Sequence, residues 1–197
     1  MSLCGAWAWG RQRKSGERGS AAVEAAIVTP LVLALLFGII ELGFLFKDYL
    51  AAAGAVRAGV RMASATPRNS TFAQDAANKV ALTGGAMNFN DVQQLWVYKV
   101  GTATDKPVGF SDFSGCTTCV KFRWDAGTSK FVRTGVEDWA ASSQSACSTL
   151  TEHPDRIGVY VELRHNAFTG LVFNTITISE ASIMSLEPIS FLTACKP

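Results

Sequence analysis

The sequence predicts an α+β fold: a long N-terminal transmembrane helix that continues outside the membrane, then a small antiparallel sheet domain. Three observations carry this. An apolar run fills residues 25–46, an Ala-rich stretch extends it toward Pro67, and period-two alternation marks several segments from Leu95 onward. At 197 residues the chain holds one compact domain beside a membrane segment, but scarcely two. The reading divides it into a basic cytoplasmic leader at 1–19, a membrane-spanning and extended helix at 20–66, and an extracytoplasmic α+β domain at 67–197.

The apolar run AAIVTPLVLALLFGIIELGFLF has one charge, Glu41, in 22 residues. At about 1.5 Å per residue it reaches roughly 33 Å, enough for a hydrocarbon core of about 30 Å. Fourteen of its residues are Leu, Ile, Val or Phe. On an insertion scale each of these contributes about −0.3 to −0.6 kcal/mol, against about +3 for one acidic group at the centre. The apolar sum exceeds the acidic cost, and Glu41 lies near the far end, where that cost is lower. A secretory signal would have a shorter core of about 7–15 residues and a prompt small-residue site; here only Ala51-Ala52-Ala53 follows, beyond a charged pair.

Charge sets the expected orientation. The formal net charge is +2, and the first 19 residues hold +3 of it through Arg11, Arg13, Lys14 and Arg18 against Glu17, leaving −1 for the rest. Lys47 and Asp48 cancel just past the run. The basic excess places the N-terminus in the cytoplasm and the remainder outside. A near-neutral domain also lacks the clustered Lys and Arg of a nucleic-acid interface.

Within the run, Pro30 frees a carbonyl and bends the helix mildly, which membranes tolerate when neighbours satisfy the freed group. Glu41 is an intramembrane ionisable group that calls for a partner subunit or for snorkelling to the interface. Beyond the run, Ala51, Ala55, Gly59 and Ala63 recur every four residues and form a row of small side chains that admits close approach by another helix or a sheet. Pro67 ends the helix.

A second helix is expected at 72–83. Thr71-Phe72-Ala73-Gln74 reads as a capping box, Phe72, Ala76 and Val80 as the apolar stripe, and Gly84-Gly85 as the stop. Strands follow from alternation: Leu95 and Val97 with Trp96 and Tyr98; Val120, Phe122 and Trp124 with Lys121 and Arg123; Phe131-Val132 after an Asp125-Ala126-Gly127 turn; Ile157, Val159, Val161 and Leu163; and a β-rich run at 175–184. Ser142-Ser143-Gln144-Ser145 reads as a polar loop.

Cys4 falls in the leader, while Cys116, Cys119, Cys147 and Cys195 fall in the outer domain, an even number suited to two disulfides whose pairing stays open. A redox pair or a zinc half-site at Cys116-Thr117-Thr118-Cys119 fits less well, and neither metal nor cofactor is expected. His153 and His165 are the only histidines; His165 reads as a surface turn, and no hydrolase, metalloprotease or phosphate-loop motif occurs. Nothing points to an enzyme.

The most specific pattern is Arg18-Gly19-Ser20-Ala21-Ala22-Val23-Glu24, where Glu24 is fifth counting Ser20 as first. A basic leader, a Gly and a fifth-position Glu opening a hydrophobic helix resemble the processing site of type IV prepilins. The resemblance implies that a prepilin peptidase cuts after Gly19 and that Glu24 meets the N-terminal amine of a neighbouring subunit, as a carboxylate in low dielectric requires. Ser20 and Glu24 equally suit a helix cap and a first-turn acid facing the macrodipole. The wider stretch RGSAAVEAAIVTPLVLALLFGIIELGFLF, with Arg57 and Arg61 beyond it and a strand running into Ser185-Leu186-Glu187-Pro188, resembles the TadE-like family. That resemblance implies a pilin-like layout and a minor pseudopilin or accessory membrane protein of the tight-adherence pilus. It also implies partners among pilin or pseudopilin subunits and pilus-assembly membrane proteins; Glu24, Pro30, Glu41, Ala51, Ala55 and Gly59 are the candidate subunit-packing residues. The alternative is an unprocessed, single-pass anchored envelope domain that binds an extracellular partner.

Overall fold

The computed structural model describes residues 16–108, 113, 116, 118–135, 139–148, 153–170 and 173–189. Helix α1, Gly16–Ala65, is 50 residues long and carries Pro30 inside it. Its start at Gly16 corrects the expectation that Ser20 caps it. Once the aliphatic turns are nucleated, each added residue gains a hydrogen bond for one fixed pair of dihedrals, so the helix propagates back through Gly19.

After Pro67 the chain turns through Arg68 at φ 61°, a left-handed conformation that costs a non-glycine residue of order 1–3 kcal/mol. Gln144 holds that turn. Its Oε1 accepts the Arg68 N–H at 2.6 Å, and its carbonyl accepts Arg68 Nη1 at 3.2 Å. The segment expected to be a polar loop exposes Ser142 and Ser143 but buries Gln144 completely, where it holds the strained turn.

Helix α2, Phe72–Thr83, has the predicted bounds and buries Phe72, Ala73, Ala76, Ala77 and Val80. The capping box does not form. Thr71 makes no side-chain cap hydrogen bond; its hydroxyl reaches Asp75 Oδ2 at 2.6 Å, while Asn69 Oδ1 accepts the Thr71 N–H at 3.0 Å. Gln74 points across to the Phe131 carbonyl at 3.0 Å.

Five strands follow: β1 Val92–Lys99, β2 Cys119–Asp125, β3 Lys130–Thr134, β4 Arg156–Asn166 and β5 Thr175–Ser185. They form one antiparallel sheet in the order β3-β2-β1-β4-β5. The β2–β3 turn sits where Asp125 predicts it, with Asp125 Oδ1 accepting the Gly127 N–H at 3.0 Å and Oδ2 accepting the Thr128 hydroxyl at 2.6 Å. These two bonds, the Thr128 hydroxyl first, hold the Asp125 carboxyl below the usual range.

The C-terminal part of α1 and all of α2 cover one face of this sheet. There Ala52, Ala55, Val56, Val60, Phe72 and Val80 close over Leu95, Val97, Val120, Ile157, Val159 and Leu163. The opposite face is not bare. Trp96, Tyr98 and Tyr160 form a second buried cluster with Cys116, Cys119 and Val100, which explains why β1 reads as alternating yet is buried on both sides. Gly158 is required there, since the Tyr98 ring lies directly over it and leaves no room for a Cβ. The result is an α+β protein: a long apolar helix whose outer end docks on a small five-stranded antiparallel sheet.

Candidate assembly and membrane-docking site

The most distinctive surface is the first half of α1. From residue 19 to residue 37 every side chain is exposed, including Val23, Ile27, Leu31, Leu35 and Leu36. An 18-residue window here has mean hydropathy 2.4 with none of it buried. Continuous apolar surface on this scale marks a lipid or protein interface, and the helix is long and apolar enough to cross a membrane. Glu24 and Pro30 both lie on it, exposed. Gly19 meets no other atom that would obstruct a Cβ, and Ser20 beside it is exposed.

Glu41 breaks that exposure. It is fully buried, covered by the loop between β4 and β5, and its Oε2 accepts the Thr169 hydroxyl at 2.5 Å. Its Oε1 is buried without a hydrogen-bond partner among the described residues. The chain's own hairpin covers this acid and supplies a donor to one of its two oxygens, where snorkelling would have left it exposed. A buried carboxylate without such a donor would carry the full desolvation cost.

Two turns further along α1, Asp48 meets His165 near the end of β4. Asp48 Oδ2 and His165 Nδ1 are 2.7 Å apart, both side chains are nearly buried, and Lys47 Nζ stands 3.0 Å from the other oxygen. His165 is thus an interior residue on a strand and not the surface turn expected. The sequence does hold a signal for this arrangement. Glu41, Leu45, Asp48, Ala52, Ala55, Val56 and Gly59 follow one helical face, so the stripe that packs on the sheet begins with two acids.

The small-residue row lies on that same face. A Cβ on Gly59 would come within 2.6 Å of Val80 Cγ2 and 3.2 Å of the Ala76 carbonyl oxygen. Ala55 is fully buried and Ala51 packs at the edge of the core. The close approach expected of these residues is made by α2 and the sheet of the same chain, which cover Ala55 and Gly59, while Ala51 stays partly exposed.

Cys116 and Cys119 are joined by a disulfide, in the cluster under Trp96 and Tyr98. Cys147 is also disulfide-bonded, and Cys195 lies outside the described residues. On the sheet face away from the helices, a groove of about 550 Å³ is lined by Trp96, Lys106, Phe113, Lys121, Tyr160 and Glu162, among others. Phe113 stacks on Tyr160 at 3.8 Å, with Lys106 4.4 Å above Phe113 and Lys121 4.8 Å above Trp96. Burial pushes the Tyr160 hydroxyl up to about 12, and burial raises Tyr98 further still.

Comparison with known proteins bears on the helix alone. No curated protein and no solved structure matches the chain. The family model described as TadE-like protein matches residues 19–61. That segment covers the exposed apolar span, Glu41, Asp48 and most of the small-residue seam. Over residues 19–61 the helix is similar to the TadE-like family, the one its N-terminal motif resembles.

Proposed function

We propose that this protein is a minor pseudopilin or accessory membrane protein in the assembly of a tight-adherence, type IVb-like pilus. The single observation that carries this is an α1 helix that is TadE-like over 19–61 and presents an uncovered apolar face with Glu24 at its start. In this reading the N-terminus is cytoplasmic, the helix crosses the cytoplasmic membrane, and the sheet domain lies outside. Prepilin peptidase recognises Gly19 and Ser20, and the exposed part of the helix packs against the helices of pilin or pseudopilin subunits.

Glu24 then has a definite role. A lone carboxylate in hydrocarbon is expensive, and a neighbouring subunit's α-amine would neutralise it in correct register. The chain acts by assembling and not by catalysis, and it needs no cofactor.

One observation favours the unprocessed, anchored envelope domain as the second reading. The helix runs unbroken from Gly16 across Gly19 and Ser20, so cleavage there requires local unwinding. Deleting the gene in its parent organism and complementing it separates the two. The pseudopilin reading expects loss of surface pili, restored by the native chain and by neither Glu24→Ala nor Gly19→Leu. Normal piliation after deletion contradicts it.

A further inference from the structure

The position of the β4–β5 connection relative to α1 has a consequence for the membrane. Glu41 lies five residues before Phe46, the end of the apolar run, which is about 7.5 Å inside that end along the helix axis. The Thr169 hydroxyl reaches Glu41 Oε2, so the tip of the connection stands at that depth. Its base is closed by the Ala167 N–H bonding to the Asn174 carbonyl at 2.9 Å. Gly170 turns the chain at φ 68°.

At this tip Phe168 is 77% exposed, although a folded domain in water gains about 1.5–3 kcal/mol by burying such a ring. Phe168 lies beside Phe44, itself exposed, around a recess that Lys47 also lines. Aromatic rings flanked by a cation, level with the end of a hydrophobic span, match the composition of a membrane–water interface.

We propose that the β4–β5 tip is a second membrane contact, in which Phe168 inserts among the lipids of the outer leaflet beside α1. Lipid is the occupant because the surface is continuous with the apolar span of α1, and a group at the level of residue 41 lies inside the hydrocarbon boundary. Thr169 makes that depth tolerable by supplying Glu41 with a donor where water is scarce. The domain is thereby held against the bilayer at two points, the helix and the hairpin, with a defined tilt. The inference rests on α1 spanning a bilayer, and it holds whether or not the leader is cut.

The test places p-benzoylphenylalanine singly at positions 168, 36 and 189 of the full chain, reconstituted in vesicles of phosphatidylcholine with a minority of phosphatidylglycerol. Leu36 and Ile189 are both exposed. Position 189 follows Glu187, whose N–H bonds to the Ser64 carbonyl, about 27 Å along α1 from Phe46. After irradiation, mass spectrometry is expected to find lipid adducts at 168 in yield comparable with 36 and several-fold above 189. Adducts at 36 with none at 168 above the level at 189, or an adduct at 168 only to a second protein chain, overturn the proposal. Absence of adducts at 36 overturns the membrane reading itself, and the proposal with it.

Discussion

Gly54 and Gly59 lie on the same helix and offer a matched experiment. Replacing either with Ala removes the same backbone freedom, a gain of about 0.8–1.0 kcal/mol in a helix interior. At Gly54, which is exposed, a Cβ meets nothing within 4 Å, so Gly54→Ala realises that gain. At Gly59 the new methyl lands 2.6 Å from Val80 Cγ2 and 3.2 Å from the Ala76 carbonyl oxygen. Val80 can turn, but the carbonyl moves only if α2 moves, and overpacking of this kind costs about 1–3 kcal/mol. The Gly59→Ala protein should therefore be less stable than the Gly54→Ala protein by about 1–3 kcal/mol. Thermal unfolding of the micelle-solubilised proteins by near-ultraviolet circular dichroism reads this difference. Equal stability of the two, or greater stability of the Gly59→Ala protein, would refute the claim that α2 seats on the small-residue seam.

Other consequences follow from particular contacts. Asp48→Ala leaves His165 Nδ1 buried without its hydrogen-bond partner and should cost about 1–3 kcal/mol, whereas the double replacement Asp48→Leu with His165→Leu should recover most of it; denaturant unfolding of the native, singly and doubly replaced proteins measures both. Phe72 is fully buried with its ring 5.6 Å from Trp139 in an edge-on pair, so Phe72→Ala should cost about 3–5 kcal/mol in the same assay. Tyr98 and Tyr160 hold their protons in the folded state more tightly than in the unfolded chain, where tyrosine ionises near about pH 10. Their contribution is therefore complete below that pH and is lost as pH rises toward about 12. Melting temperature plotted against pH should fall across that window, less steeply in the Tyr98→Phe protein.

Much of this architecture is legible locally, and the failures have a common cause. Helix α2 is readable because its stripe and its glycine stop lie within 14 residues of sequence, and β1 to β5 because alternation is a local property. Glu41 and His165 are misread because their partners, Thr169 and Asp48, are 128 and 117 positions away. An intramembrane acid and a strand-end histidine look alike whether they face solvent or another element. The capping box fails for a nearer reason: Asn69, two residues before Thr71, competes for the same donors. The polar loop at 142–145 is legible, but the burial of Gln144 is not, because its partner Arg68 is 76 positions away.

The exposed apolar half of α1 is the reverse case. Composition alone identifies it, and the fold leaves it uncovered; what the rest of the structure adds is where one side of the helix first becomes covered, at Glu41 under the β4–β5 connection. Beyond it, one side of α1 packs on its own domain.

The central claim is that the Gly19–Ser20 junction is a processing site on a helix made for assembly. The most direct measurement is the intact mass and N-terminal sequence of the membrane-extracted protein, produced with and without prepilin peptidase. The account predicts a chain beginning at Ser20, dependent on the peptidase and abolished by Gly19→Leu. A chain that retains its leader when the peptidase is present would contradict it, leaving an anchored domain that is TadE-like in its helix alone.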